Sequence, residues 1–161
     1  MVRAADRRKP KREQAQRGPV TPMGIAFICF GNACRSQMAE AWARYYGGEH
    51  VTAQSAGVHP LGEVTAETRA VMGEKEIRLD GQYSKGLDAI DWTRVDIVVN
   101  MSPHPTEDLL PAFSGRCFTW KVQDPFSEPV ETYRRVRDEL GERVRALVEE
   151  LTTPAAAPEP L

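Results

Sequence analysis

The strongest chemical signal in the chain is eight consecutive residues, Cys29-Phe30-Gly31-Asn32-Ala33-Cys34-Arg35-Ser36. A cysteine and an arginine with five residues between them form a weak pattern alone, and the context makes it specific. The segment closes an apolar run, Gly24–Phe30, and opens into a stretch of helical periodicity. Gly31 and Asn32 are residue types that tolerate left-handed backbone angles, so the chain can curl tightly between the two elements. A tight loop there turns successive N–H groups inward, and the following helix adds its positive end, which together make an anion cradle. Arg35 supplies a planar fork matched to two oxygens of a tetrahedral or trigonal-bipyramidal oxyanion. Cys29, at the floor of the cradle, sits near a helix N-terminus and an arginine, a setting in which a thiol loses its proton readily. Ser36 can donate to the thiolate, and the Asn32 side chain can brace the loop. One loop thus makes a nucleophile and binds its target.

Displacement at phosphorus also needs an acid for the leaving oxygen, then a base for water. Asp124, followed by Pro125, is the candidate; a plain Asp-Pro turn is an equally good reading of the pair. Cys34 also has two readings. It could form a reversible bond with Cys29 that shields the nucleophile from over-oxidation, or it could be a cysteine packed beneath the loop. Cys117, on an expected strand, reads as a buried small hydrophobe. Three cysteines with no export signal argue against a structural disulfide framework. His50, His59 and His104 are scattered without paired ligand spacing, so no metal site is expected.

The elements around these residues alternate. Strands are expected at Gly24–Phe30, Val51–Ser55, Val95–Met101 and Cys117–Val122, and helices at Ser36–Tyr46, Thr65–Glu76 and Val130–Leu151. The last helix carries Tyr133, Val136, Leu140, Val144, Leu147 and Leu151 on one stripe. Trp42, Tyr45 and Tyr46 fall at core spacing on the first. Such alternation predicts an α/β protein: one domain, a four-stranded parallel sheet flanked by helices on both faces, and a phosphate-binding loop after the first strand. Ligands of open sheets sit beyond the carboxyl ends of the strands. The loops 29–36 and 123–127 leave such ends.

Bulk composition is that of an ordinary soluble domain, with 161 residues, 41% hydrophobic and 27% charged. No apolar run approaches a membrane span, and no secretory signal opens the chain; a cytoplasmic location is expected. The net charge of −2 conceals a basic arm. Residues 1–22 hold seven Lys and Arg against Asp6 and Glu13, a balance of +5 that leaves −7 for the rest. With almost no apolar content the arm reads as a solvated disordered tail, and nucleic acid is not the expected partner. The organisation is then a tail at 1–22, a catalytic domain at 23–152 and a flexible tail at 153–161.

CFGNACRS at 29–36, Ser55-Ala56-Gly57 and Asp124-Pro125, in this order, resemble the low-molecular-weight protein-tyrosine phosphatase superfamily, which includes related arsenate reductases. The resemblance runs from about Gly24 to Leu151. It implies Cys29 as the nucleophile of a phosphocysteine intermediate, Arg35 as the oxyanion clamp and Asp124 as general acid and base. Asn32, Ser36 and Ser55 would support the loop, with no metal or organic cofactor. Its substrates would be phosphorylated proteins or small oxyanions. Two departures stand out. Where the family's tyrosine phosphatases often carry two tyrosines after Asp-Pro, this chain has Phe126 and Ser127, leaving Phe126 as one aromatic wall at the substrate rim. The stretches Ser36–Glu40 and Arg135–Glu139 look closer to the arsenate reductases. However, no cysteine lies between residues 35 and 116 to pass oxidation onward, so reduction would need an external thiol.

Overall fold

The computed structural model describes residues 20–154. The expected tails at 1–22 and 153–161 lie almost wholly outside that range. Strand β1, Met23–Cys29, is buried on both faces from Gly24 onward, which is why its sequence is a continuous apolar run rather than an alternating one. It pairs in parallel with β2, Val51–Gly57, on one side and with β3, Ile97–Asn100, on the other. The short strand β4, Arg116–Thr119, completes a four-stranded parallel sheet of order β2-β1-β3-β4. The register pairs Cys29 with Gly57, Ile28 with Asn100 and Asn100 with Thr119, so all four carboxyl ends open on one edge.

Helices α1 (Arg35–Gly47), α2 (Ala66–Gly73) and α4 (Val130–Thr152) cover one face, packing on Ile25, Phe27 and Cys29. The predicted stripe of α4 is buried from Tyr133 through Leu147. α1 and α4 meet where Trp42 lies over Gly141; a Cβ there would stand 3.0 Å from the indole, so the absent side chain lets the helices close. The opposite face, over Ala26, Ile28 and Val98, carries lighter cover: two 3-10 turns, Leu87–Ala89 and Trp92–Arg94, and the single-turn helix α3, Thr106–Leu109. α3 was not foreseen because four residues are too few for periodicity to register. α2 ends three residues before its expected limit, at Gly73, and Glu76 adopts φ of 60° as the chain turns away.

Two expectations need correction. Cys117 is exposed, not buried, because β4 is an edge strand whose outer side is left open. It pairs with Val98, itself level with Ala26. That places Cys117 two strands across and about 10 Å short of Cys29 along the strand direction, on the other face; the two thiols cannot bond without taking the sheet apart. Tyr45 is 63% exposed, although Trp42 is buried as expected and Tyr46 stacks on it.

One surface cluster ties α2 to α4. Glu74 accepts from Arg134 and from Arg137, and these guanidiniums hold its carboxyl down at about 2. Its folded value lies below the unfolded one, so its contribution is complete above ordinary carboxylate pH and is lost as pH falls from about 4.5 towards 2. Glu74→Gln is therefore expected to lower the melting temperature slightly at neutral pH and to converge on wild type as pH falls towards 2, flattening the acid limb of a thermal-unfolding profile; because the site is solvated, the effect should be small.

Candidate active site

The loop between β1 and α1 is built by exporting every carbonyl. Cys29, Phe30, Gly31, Ala33 and Cys34 oxygens accept from the main-chain N–H groups of Val58, His59, Leu61, Thr65 and Met38. The Asn32 oxygen accepts from Gln37 Nε2 at 3.1 Å. With carbonyls facing out, the loop's N–H groups are turned towards the concave side, which is the geometry an anion requires. Asn32 takes φ of 50°, one of the left-handed positions the motif anticipates. Gly57 supports the loop from behind. A Cβ on it would come within 2.8 Å of Asn32 N and Gly31 C, which explains the Ser-Ala-Gly ending of β2. Gly57→Ala is expected to cost about 1–3 kcal/mol of stability and to lower activity more than Gly73→Ala, where a Cβ meets open space; paired melting curves and initial rates would check both.

Cys29 is 2% exposed. Its Sγ lies 2.9 Å from Ser36 Oγ and accepts from Asn32 N at 3.2 Å. The Asn32 side chain donates to Ser36 Oγ at 2.7 Å and Ser55 Oγ at 3.0 Å, bringing together the three supporting residues named from sequence. Arg35 spends one nitrogen, Nη1, on the carbonyls of Met101 and Val122 at 3.0 and 3.1 Å, latching the loops after β3 and β4. Its Nε is buried without a partner and its Nη2 stands 3.5 Å from Asp124 Oδ2. An orphaned buried donor is costly; here Nε has no partner and Nη2 has only the half-exposed Asp124 carboxylate, so the guanidinium retains donors that an oxyanion could engage.

Asp124 is half exposed at the mouth; its Oδ1 accepts from Phe126 N, so the expected turn forms, and its Oδ2 faces Arg35. A hollow of about 250 Å³ is lined by Cys29, Phe30, Gly31, Ala33, Cys34, Arg35, Leu61, Asp124 and Phe126. Phe126 and Phe30 are exposed on its rim, and the Phe30 ring contacts His59 with centroids 5.1 Å apart. Leu61, Gln37 and Gln82 were not singled out from sequence; the two glutamines are buried, and nothing in periodicity marks an amide that will face a loop. Cys34 is buried, with its Sγ 3.6 Å from Thr65 Oγ1 and 3.9 Å from the Tyr133 hydroxyl. Burial pushes both groups up, Tyr133 to about 12. Among the described residues no three His, Cys, Asp or Glu side chains gather in a metal-holding group, and no helix is long and apolar enough to cross a membrane.

A parallel α/β sheet whose first strand ends in a cysteine-floored, arginine-clamped anion loop defines a class of oxyanion-handling thiol enzymes. The chain belongs to the low molecular weight phosphotyrosine protein phosphatase family, which matches residues 24–156. Its relatives fall on both sides of that family. Arsenate reductase 2 of Bacillus cereus (strain ATCC 10987 / NRS 248) is 36% identical over 127 residues, 78% of this chain and 93% of that protein. An arsenate reductase in its phosphate-binding state superposes with a TM-score of 0.71 at 26% identity, covering 81% of this chain and 99% of the other. The YwlE arginine phosphatase, in a cysteine-to-serine form with a phosphorylated active-site serine, gives 0.73 at 28% identity, covering 81% and 97%.

Proposed function

We propose that this protein is a phosphatase that hydrolyses phosphotyrosine or small phosphate esters through a phosphocysteine intermediate. The observation that carries the reading is the convergence of Cys29, Arg35 and Asp124 on one small hollow whose loop carbonyls all point away. The Cys29 thiolate attacks phosphorus as the P–O bond to the leaving group breaks. Asp124 gives its proton to the departing oxygen, and Arg35 with the loop N–H groups holds the equatorial oxygens. Water then attacks phosphorus, passing a proton to Asp124; the S–P bond breaks and phosphate leaves. The phosphorylated serine described for YwlE supports covalent transfer on this scaffold, and its activity makes phosphoarginine a substrate to assay beside phosphotyrosine.

A second reading is arsenate reduction, favoured by the names of the Bacillus relatives. Cys29 would attack arsenic with loss of water. An external thiol would then attack Cys29 sulfur, forming a mixed disulfide and sending the electron pair to arsenic, so that arsenite departs. A second equivalent of thiol would restore Cys29. Cys117 is too far to serve as relay, so reducing equivalents would come from an external thiol, attacking Cys29 directly or a Cys29–Cys34 bond.

The deciding experiment is hydrolysis of p-nitrophenyl phosphate with dithiothreitol and without added metal. Turnover that drops about 10²–10⁴-fold in Asp124→Ala, with a flattened basic or acidic limb of the pH profile, supports the phosphatase. No turnover in folded wild type, together with thiol-dependent arsenite production, establishes the second reading instead.

A further inference from the structure

Beneath the anion loop, six side chains form a ring in which five hydrogen bonds run in one sense from Arg44 to Glu40 and an Arg44–Glu40 ion pair closes it. Arg44 Nη1 donates to Gln82 Oε1 at 3.1 Å, and Gln82 Nε2 donates to Gln37 Oε1 at 2.8 Å. Gln37 Nε2 donates to Asn32 Oδ1 at 2.9 Å, and Asn32 Nδ2 to Ser55 Oγ at 3.0 Å. Ser55 donates to Glu40 Oε1 at 2.6 Å, and the buried Glu40 carboxylate returns to Arg44 Nη2 through an ion pair.

The direction is not a matter of choosing amide rotamers. Main-chain groups fix each one. Gln82 Nε2 also donates to the Gln37 carbonyl, and Gln37 Nε2 to the carbonyls of Asn32 and Tyr83. Asn32 Oδ1 accepts from the Lys85 amide, so its other terminus is the donor. That donor also reaches Ser36 Oγ, which must accept from it and is left with its own hydrogen for Cys29 Sγ. The polarity that starts at the Arg44 cation therefore ends in a hydroxyl hydrogen aimed at the cysteine sulfur. Aligned hydrogen bonds reinforce one another in a low-dielectric interior.

We propose that Arg44 and Glu40, through the Gln82–Gln37–Asn32 ring, are positioning residues that lock Ser36 as a hydrogen-bond donor to the Cys29 thiolate. This rests on the reading of Cys29 as a thiolate nucleophile. Breaking the ring at Arg44 removes the donor to Gln82 Oε1 and the cation opposite Glu40, so the amides that the main chain still orients lose the polarisation that strengthens the Ser36 hydrogen bond to Cys29. Other charged and titratable groups face the same region. Arg35, Cys34 and Asp124 lie around the hollow, with His59 on Phe30, and Lys85 stands near the Arg44–Glu40 pair.

The test is the rate of Cys29 alkylation by iodoacetamide against pH, read by mass spectrometry of the Cys29 peptide. The variants are Arg44→Met, Arg44→Lys, Ser36→Ala and the Ser36→Ala/Arg44→Met pair, and folding is verified by melting curves. Arg44 is about half exposed, but its loss leaves the buried Glu40 without its cation, so Arg44→Met is read beside the charge-keeping Arg44→Lys. Arg44→Met is expected to move the alkylation midpoint up by about one pH unit, with Arg44→Lys restoring most of the difference. In the Ser36→Ala background the same replacement should move it far less, because the ring acts through Ser36. An equal shift in both backgrounds overturns the proposal, since Arg44 would then act by charge alone, and so does no shift in either. Wild-type Cys29 that resists alkylation below pH 8 would instead sink the nucleophile reading itself.

Discussion

Cys29→Ser is expected to remove p-nitrophenyl phosphate hydrolysis almost completely, by on the order of 10⁴-fold or more, while the folded protein still binds inorganic phosphate. The asymmetry follows from where the parts sit. The cradle is made of main-chain N–H groups held by carbonyls that bond outward to residues 58, 59, 61, 65 and 38, none of which depends on sulfur. Serine is isosteric enough to keep the contacts with Ser36 and Asn32, but a hydroxyl is a far poorer nucleophile at neutral pH than a thiolate. Rates measured with and without the substitution, beside phosphate titration by calorimetry, check both halves. Turnover above a tenth of wild type would remove Cys29 from the mechanism.

Arg35→Lys is expected to lower kcat/KM by about 10²–10³-fold, the size seen when one preorganised donor to a developing oxyanion is lost. The charge survives, yet the geometry does not. Arg35 divides its fork, giving Nη1 to Met101 and Val122 while Nε has no partner and Nη2 faces Asp124, the two that the proposed mechanism assigns to the anion. A lysine ammonium is a single point that cannot hold two carbonyls and clasp two oxygens at once. Because Val122 lies two residues before Asp124, the same substitution should also loosen the residue proposed as the acid. The pH–rate profile of Arg35→Lys should therefore change shape as well as height; a uniform fall across pH would mean that the clamp and the acid loop are independent.

Much of this was legible in the chain. The apolar run into Cys29, the Gly31-Asn32 pair and the helix that follows each answer to local physics, so strand, loop and helix fell where periodicity put them. The Ser55-Ala56-Gly57 ending could be placed by resemblance, but its reason, the 2.8 Å approach of Gly57 to the loop, is a tertiary fact. The glutamines at 37 and 82 stand 45 residues apart and meet only because the segment before the Leu87–Ala89 turn folds under α1. Exposed Cys117 was misread because a strand pattern does not say which strand is at the edge. Asp124 is the middle case: its turn was readable locally, whereas its approach to Arg35 depends on β4 ending beside β1's loop.

The latch formed by Arg35 also bears on how the protein should be handled. One side chain joins two loops and the anion cradle, so occupancy of the cradle and ordering of the loops are thermodynamically linked, and any oxyanion that fills the fork is a ligand of the folded state alone. Phosphate buffer at a hundredfold excess over its dissociation constant would add about 2.7 kcal/mol to the unfolding free energy. Melting temperatures taken in phosphate and in a non-coordinating amine buffer should therefore differ by several degrees, and the gap should close in a variant whose fork is gone.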